Sequence, residues 1–352
     1  MSNPFDFDAK FASDAIQERV ASYLGRENPG PIHVDLDLTT DCNYRCPHCG
    51  DLARKHLNRG GLGPKHLVEV IDDMAALDVR FASLIGGGEP MASPHFEVAV
   101  RALHARGIST GVVTNGSYLD ETSCDVISHT CDWVRVSLDA ASDPVYQKVH
   151  RPHGNVPLET VLRGLECLAK RMPGKVGVSY LIVKANVSEI FDAARIAKSI
   201  RCAYIRYRAA QHPLTGTYAA IEKLESVREQ IARATELEDA NFRVSSGELG
   251  ESEPGESAQT KTYSRCHAQA FGTVIAGDGK VYLCSKWRGK ADACIGDVTQ
   301  MRFRDIWRSA ARDAVVRSTR PCLTCSGVHC QAHPYNVLLD SAYREHGVLA
   351  EA

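Results

Sequence analysis

The stretch His33-Val-Asp-Leu-Asp-Leu38-Thr-Thr-Asp-Cys42-Asn-Tyr-Arg-Cys46-Pro-His-Cys49 begins as an alternating, apolar-rich strand and ends as a loop carrying three thiols. In α/β sheets ligands bind at the carboxyl ends of the strands. A cysteine loop placed directly after a first strand therefore puts soft ligands where chemistry is expected. The C-x3-C-x2-C spacing leaves two readings open. Three thiolates on one short loop hold three irons of a 4Fe–4S cubane and leave the fourth iron without a protein ligand. Alternatively the loop binds zinc, with His48 or a distant cysteine as fourth ligand.

Outward from this stretch the chain alternates short β-branched runs with longer amphipathic segments, the pattern of a parallel sheet wrapped by helices. Strands are predicted over 33–38, 81–85, 109–114, 133–137, 177–183 and 204–208. Helices are predicted over 64–77, 94–106, 120–130, 157–171 and 187–200, several opened by Pro or Asp as helix starts usually are. Residues 1–32 read as a helical extension, 33–244 as the main α/β domain, and the Ser/Gly/Glu/Pro-rich 245–260 as a linker. Beyond it, 261–340 forms a small cysteine-rich domain. There Asp278-Gly279 lies between two apolar runs, a hairpin signal, and a helix is predicted over 303–315.

The second strand runs into Ile85-Gly86-Gly87-Gly88-Glu89-Pro90, the third into Thr114-Asn115-Gly116, and the fourth into Ser137-Leu-Asp139. Taken alone, a glycine run is equally a plain tight turn. Together with the cysteine triplet it resembles the radical S-adenosylmethionine (AdoMet) superfamily. The resemblance implies a partial (β/α)6 barrel over about residues 30 to 245. It assigns Cys42, Cys46 and Cys49 to a 4Fe–4S cluster whose open iron binds AdoMet. Gly87, Gly88 and Glu89 then meet the methionyl amino group, with Glu89 as its charged partner. Asn115, Ser137 and Asp139 meet the ribose and carboxylate, and His48 lies against adenine. The implied chemistry is reductive cleavage of AdoMet to a 5′-deoxyadenosyl radical that takes an unactivated hydrogen, with a flavodoxin or ferredoxin as reductant.

Past the linker stand Cys266, Cys284, Cys322, Cys325 and Cys330, with Ile295-Gly-Asp-Val298 and Phe303-Arg-Asp-Ile-Trp307 between the groups. This arrangement is similar to the SPASM/twitch auxiliary-cluster domains of the same superfamily, in the shorter form with one auxiliary 4Fe–4S cluster on Cys266, Cys284, Cys322 and Cys325. A zinc ribbon is the competing reading. Cys330 is left over, either as a structural or alternative ligand or as a redox-active, hydrogen-donating thiol; Cys294 is a weaker candidate for that last role. Cys124, Cys131, Cys167 and Cys202 fall at apolar positions and read as core.

Bulk properties exclude several classes. Of 352 residues 44% are hydrophobic and 24% charged, and the formal net charge is -2, so there is no electrostatic case for nucleic acid or anionic lipid as partner. Asp6, Asp8, Lys10, Asp14, Glu18 and Arg19 interrupt the start of the chain, unlike a signal peptide. No window approaches the roughly 20 apolar residues of a membrane span. A cytoplasmic protein with reduced, metal-bound thiols is expected from this pattern of 13 cysteines.

The short stretch before the first strand leaves no room for a peptide-leader domain, which favours a small substrate. The layout is most similar to twitch enzymes that act on aminocyclitols and sugars in antibiotic biosynthesis. Dehydrogenation of a secondary alcohol, with the auxiliary cluster as electron acceptor, is the expected reaction for a sugar, aminocyclitol or nucleoside. Epimerisation using Cys330, decarboxylation of a sugar acid, and peptide or protein modification are the alternatives. Arg151, in His150-Arg-Pro-His153, and Arg206, in Arg206-Tyr-Arg208, are the candidates for binding a substrate or AdoMet carboxylate.

Overall fold

The computed structural model describes residues 14–25, 27–50, 60–154, 156–210, 223–247, 249, 261–325 and 330–345. The parallel strands are β1 (His33–Leu36), β2 (Phe81–Leu84), β3 (Ser109–Thr114), β4 (Trp133–Ser137), β5 (Val176–Ile182), β6 (Tyr204–Ala209) and β7 (Arg243–Ser246). Each pairs with the next in sequence order. The helices that return the chain are α2 (Pro64–Ala76), α3 (Phe96–Ala105), α4 (Glu121–Thr130), α5 (Asp143–His150), α6 (Leu158–Arg171), α7 (Ile190–Ser199) and α8 (Leu224–Thr235), after an N-terminal α1 (Asp14–Leu24). Strand side chains alternate between two faces. Val34 and Leu36, Val134 and Val136, and Ile205 and Tyr207 are fully buried on the helix side, and the residues between them face the barrel interior.

The main departure from the sequence reading lies at the barrel's edge. Six strands were expected, with a separate appendage after a linker. Among the described residues seven parallel strands follow one another in sequence order, and β7 runs into the region assigned to the linker, of which 248 and 250–260 lie outside the described residues. The hairpin of β8 (Gly272–Ile275) and β9 (Lys280–Tyr282), with β10 (Cys294–Asp297), does not stand apart. It continues the barrel sheet in the order β10-β9-β8-β1-β2-β3-β4-β5-β6-β7, with β8 parallel to β1. The open edge of β1 explains this: a parallel strand left there would expose unpaired backbone groups, and the apolar Thr273-Val-Ile run supplies the partner. The helix expected over 303–315 is two, α9 (Phe303–Trp307) and α10 (Ala310–Ser318), because Ser309 caps the second by accepting from the Arg312 amide. Trp307, fully buried, donates Nε1–H to the Pro29 carbonyl at 2.8 Å, and Arg302 pairs with the buried Asp73 of α2 at 2.6 Å. The tail continues as α11 (Pro321–Thr324) and α12 (His333–Glu345).

One buried ion pair ties the hairpin region to the barrel. Arg288 follows Cys284 by four residues, and Asp37 precedes Cys42 by five. Arg288 Nη2 donates to Asp37 Oδ1 at 3.0 Å and Nε lies 2.7 Å from Oδ2, with Asp37 0% and Arg288 5% exposed. A Cβ on Gly86 would fall 2.4 Å from Arg288 Nη2 and 2.5 Å from Asp37 Oδ1, so the first glycine of the triple run makes room for this pair. Arg288→Ala, which strands a buried carboxylate, is expected to cost about 3–5 kcal/mol in denaturant unfolding. The double change Asp37→Leu with Arg288→Met should recover most of that loss; equal destabilisation by the single and double changes would refute this account.

Candidate active site

The cysteine loop is held from two sides. On one side the end of α5 lies against it: the Arg45 amide donates to the carbonyls of His150 and Arg151 at 3.2 Å each, the His153 amide donates to the Asn43 carbonyl at 2.8 Å, and the Tyr44 and Tyr146 hydroxyls pair at 2.7 Å. On the other, the rim after β3 grips Asn43, whose Nδ2 donates to Ser117 Oγ while its Oδ1 accepts from Asn115 Nδ2, both at 2.9 Å. Cys46 Sγ lies 3.3 Å from His150 Nδ1, and the same buried ring places Nε2 2.9 Å from the Leu138 carbonyl and 3.7 Å from Asp139 Oδ2.

Burial pushes the Cys46 thiol well up, and the neighbouring charges of Cys49, Asp139 and Cys42 push it the same way. Three thiolates sharing this loop thus repel one another and require a cationic partner.

The glycine run packs on this loop. Gly87 (φ +77°) bridges to Thr39, and a Cβ there would lie 2.6 Å from the Thr39 carbonyl oxygen; one on Gly88 would lie 2.0 Å from that of Asp41. The glycines are thus required by close backbone approach to the cysteine loop itself. Glu89, 3% exposed, accepts from Thr114 Oγ1 and the Asn115 amide at 2.7 Å each and from the Met91 amide at 3.1 Å. The carboxylate thereby braces the β2 and β3 rims at the position where the sequence reading expects the partner of the AdoMet ammonium. Asn115 is similarly engaged, with Asn43 and Ser117.

On the adjoining rim His48 lies within electrostatic range of both Asp139 and Arg151, and Ser137 ends β4 two residues before Asp139. Asp139 (φ +53°) accepts from the Leu181 amide at 2.6 Å. Burial raises its carboxyl, against the opposing pull of His150, that amide, Arg208 and His48. His48 is lowered by burial and by Arg151, with Asp139 opposing. Ser137 Oγ lies 3.4 Å from Ser179 Oγ, on the same rung as Arg206.

In the second thiol group, burial and the charges of Cys284, Cys330 and Cys325 push Cys266 up to about 12, and burial with Cys325 and Cys330 pushes Cys284 up to about 11. Cys325 is raised by burial and by Cys330. Cys330, set apart from the ligand set in the sequence reading, thus lies within the electric field of the other three. Cys322 lies on α11, and its side chain is outside the described residues. Cys294 stands on β10, 3.4 Å from the Gly296 carbonyl oxygen. Of the four cysteines read as core, Cys124, Cys131 and Cys202 are buried, while Cys167 is partly exposed with Arg171 Nη1 2.8 Å from its sulfur. Sequence reasoning missed the roles of Tyr44, Tyr146 and His150 around the thiols, because their contacts cross about a hundred residues of chain.

A strand-end thiol triplet, a glycine run packed on it, and a second thiol group on the same sheet define an iron–sulfur enzyme of the AdoMet-cleaving kind. Residues 36–197 match the model of the Radical SAM superfamily, and 266–331 match an iron-sulfur cluster-binding (SPASM) domain. The chain thus carries a Radical SAM domain followed by a SPASM domain, the pairing of the SPASM/twitch subgroup of the radical AdoMet superfamily, and these domains bind a 4Fe–4S cluster with AdoMet and auxiliary iron–sulfur clusters respectively. It is 25% identical over 311 residues to mycofactocin maturase MftC of Mycobacterium tuberculosis, covering 87% of this chain and 78% of that protein. It is 28% identical over 203 residues to a probable GTP 3′,8-cyclase of Thermococcus kodakarensis, covering 57% and 60%. A shorter match to the Mycobacterium ulcerans maturase, 29% over 168 residues, covers 47% of this chain and 44% of that one, so the chain spans about half the length of some relatives. The fold is shared with Streptococcus suis SuiB bound to S-adenosylmethionine, with a TM-score of 0.65 at 16% identity over 90% of this chain and 77% of that one. No described helix is long and apolar enough to cross a membrane.

Burial, outweighing three hydrogen bonds, raises Glu89 from its ordinary 4.5 to about 6. The folded protein therefore keeps this proton to higher pH than the unfolded chain. The stabilisation is full below 4.5 and is lost as pH rises to about 6, a loss of about 2 kcal/mol. Denaturant midpoints of the metal-free protein across this window should fall more steeply for wild type than for Glu89→Gln; parallel profiles would contradict the assignment.

Proposed function

We propose that this enzyme carries out a net oxidation of a polar substrate held in the barrel interior, dehydrogenation of a secondary alcohol being the reaction that fits best. Cys42, Cys46 and Cys49 are the ligands proposed for the AdoMet cluster. Cys266, Cys284 and Cys325, completed by Cys322 or Cys330, are those for the auxiliary cluster. Bound, the first cluster and AdoMet supply a carbon radical able to take an unactivated hydrogen, and the auxiliary cluster supplies an electron acceptor. The chain's own residues hold the thiol loop, orient AdoMet at the rim of Ser137, Asp139, His48 and Arg151, and line the interior with polar groups. In this reading the glycines offer backbone groups to AdoMet, and Glu89, held by Thr114 and the Asn115 amide, is the charged partner of its ammonium.

The observation that carries the oxidative reading is the joining of the two thiol groups through one sheet and the Asp37–Arg288 pair. An electron acceptor is useful only at a fixed separation from the reacting centre, and a buried ion pair between the two thiol-bearing segments fixes it. The inward-facing rung of Ser137, Ser179 and Arg206 supports a hydroxylated substrate such as a sugar, aminocyclitol or nucleoside. A second reading, modification of a peptide, is favoured by the similarity to a maturase over most of this chain. A low-potential donor such as flavodoxin or ferredoxin supplies the first electron.

Anaerobically reconstituted protein is expected to hold about eight irons and to lose about half of them in the Cys42→Ala/Cys46→Ala/Cys49→Ala variant, which should form no 5′-deoxyadenosine. Cys322→Ala and Cys330→Ala, compared by iron count, assign the fourth auxiliary ligand. A Cys330→Ala protein with both clusters filled and no turnover would favour epimerisation. Bound zinc without iron would overturn the reading. Stimulation of 5′-deoxyadenosine formation by peptides but not by polyols or nucleosides would select the second.

A further inference from the structure

The sulfurs of the second thiol group accept N–H donors, and most of these are set by local chain geometry. Cys284, in extended conformation, opens a tight 3₁₀ turn over Ser285–Trp287, which is closed by the Trp287 amide on the Cys284 carbonyl at 3.0 Å. The turn aims main-chain groups back at the residue that opens it, so that the Lys286 and Trp287 amides donate to the Cys284 sulfur. Cys266 repeats the arrangement: it opens the 3₁₀ turn His267–Ala270 and its sulfur accepts from the Gln269 amide.

Cys325 receives a donor of another kind. It closes α11, its amide donating to the Pro321 carbonyl at 3.1 Å, and its sulfur is met by the side chain of Trp287. An indole has one polar atom, Nε1–H, which only donates and does not titrate. The half-buried Trp287 thus ties the Cys284 segment to the sulfur of Cys325. Two neighbours hold the ring in place. Arg288, the next residue, is locked onto Asp37 of the barrel. Lys290 places Nζ 4.1 Å from the indole centroid, while its amide donates to the Trp287 carbonyl at 3.0 Å. A cation over the ring is attracted by its electrons and polarises them, which strengthens the N–H as a donor. Burial raises the Cys325 thiol and Cys330 adds to this, whereas the indole, Lys261 and Lys290 all favour negative charge on its sulfur.

Reduction of an iron–sulfur cluster places more negative charge on its sulfurs, so a donor aimed at a ligand sulfur stabilises the reduced form more than the oxidised one and raises the potential. We infer that Trp287 is a positioning residue of the auxiliary centre, its indole N–H holding the Cys325 sulfur and raising the reduction potential of the cluster ligated there, so that the centre accepts an electron. The inference deepens the proposed function and rests on the assignment of Cys325 as an auxiliary ligand. The electron concerned is the one a substrate carbon radical gives up as its hydroxyl loses a proton to water and its carbon becomes a carbonyl; no bond to sulfur is made or broken. Trp287 acts through Cys325 and touches neither substrate nor AdoMet in this account.

Potentiometric titration of the reconstituted, AdoMet-bound enzyme, followed by electron paramagnetic resonance, tests the inference without requiring turnover. The signal that persists in the Cys42→Ala/Cys46→Ala/Cys49→Ala protein identifies the auxiliary cluster. Trp287→Phe keeps a ring beneath Lys290 and removes the N–H. It is expected to retain its iron and to lower the auxiliary potential by about 59 mV, a tenfold shift in a one-electron equilibrium. The potential of the AdoMet cluster should stay at its wild-type value. A purely structural tryptophan would change iron content or stability and leave the potential in place. Should Trp287→Phe fail to hold its iron, site-specific replacement of Trp287 by benzothienylalanine, which exchanges only the N–H for sulfur, is expected to give the same downward shift. An auxiliary potential that is unchanged or raised, an equal shift in both clusters, or loss of iron from both replacements would overturn the inference and leave the ligand assignment standing. Wild-type protein without auxiliary iron would sink that assignment and the inference with it.

Discussion

Asp37 and Arg288 carry opposite charges into a place where neither meets bulk water, and much of the molecule is arranged around keeping them together. The pair forms only if β8 lies beside β1, which brings Cys284 and its loop to the barrel. It also requires the chain after β2 to be glycine at position 86, since any side chain would displace the guanidinium. A buried pair of this kind contributes little net stability compared with an apolar contact, but breaking it is costly. Its effect is therefore specificity: of the ways a cysteine-rich hairpin might attach to a barrel edge, it selects the one that fixes the two thiol groups relative to each other.

Around β1 the same economy of contacts recurs. The cysteine loop, anchored in the core through Tyr44, is shaped by its neighbours: Asn115 and Ser117 on the β3 side, Tyr146, His150 and His153 on the α5 side, and the glycine run packed on it. Glu89 fixes the neighbouring rims internally, at the cost of an ionisable group in a dry site. Cys46, Cys266, Cys284 and Cys325 are destabilising as anions, each raised by burial and by neighbouring thiols. Folding of these loops is thus coupled to cluster binding, because a cation at each group converts repulsion among sulfurs into ligation.

By itself the sequence determined the strands and helices that build the barrel, because alternation of period two and amphipathic helical runs are local patterns. It also determined the thiol triplet, since Cys42, Cys46 and Cys49 share one short loop, and the glycine run that marks the neighbouring strand end. Tertiary structure decided that the hairpin joins the barrel sheet rather than standing apart, that Cys330 lies among Cys266, Cys284 and Cys325, that Glu89 braces a rim, and that Arg288 finds Asp37 across 251 residues. Local pattern fixes which face of an element is apolar, but the partner of a buried charge or thiol is chosen through space, by which strand edges and rims pack together, and no spacing along the chain encodes that choice.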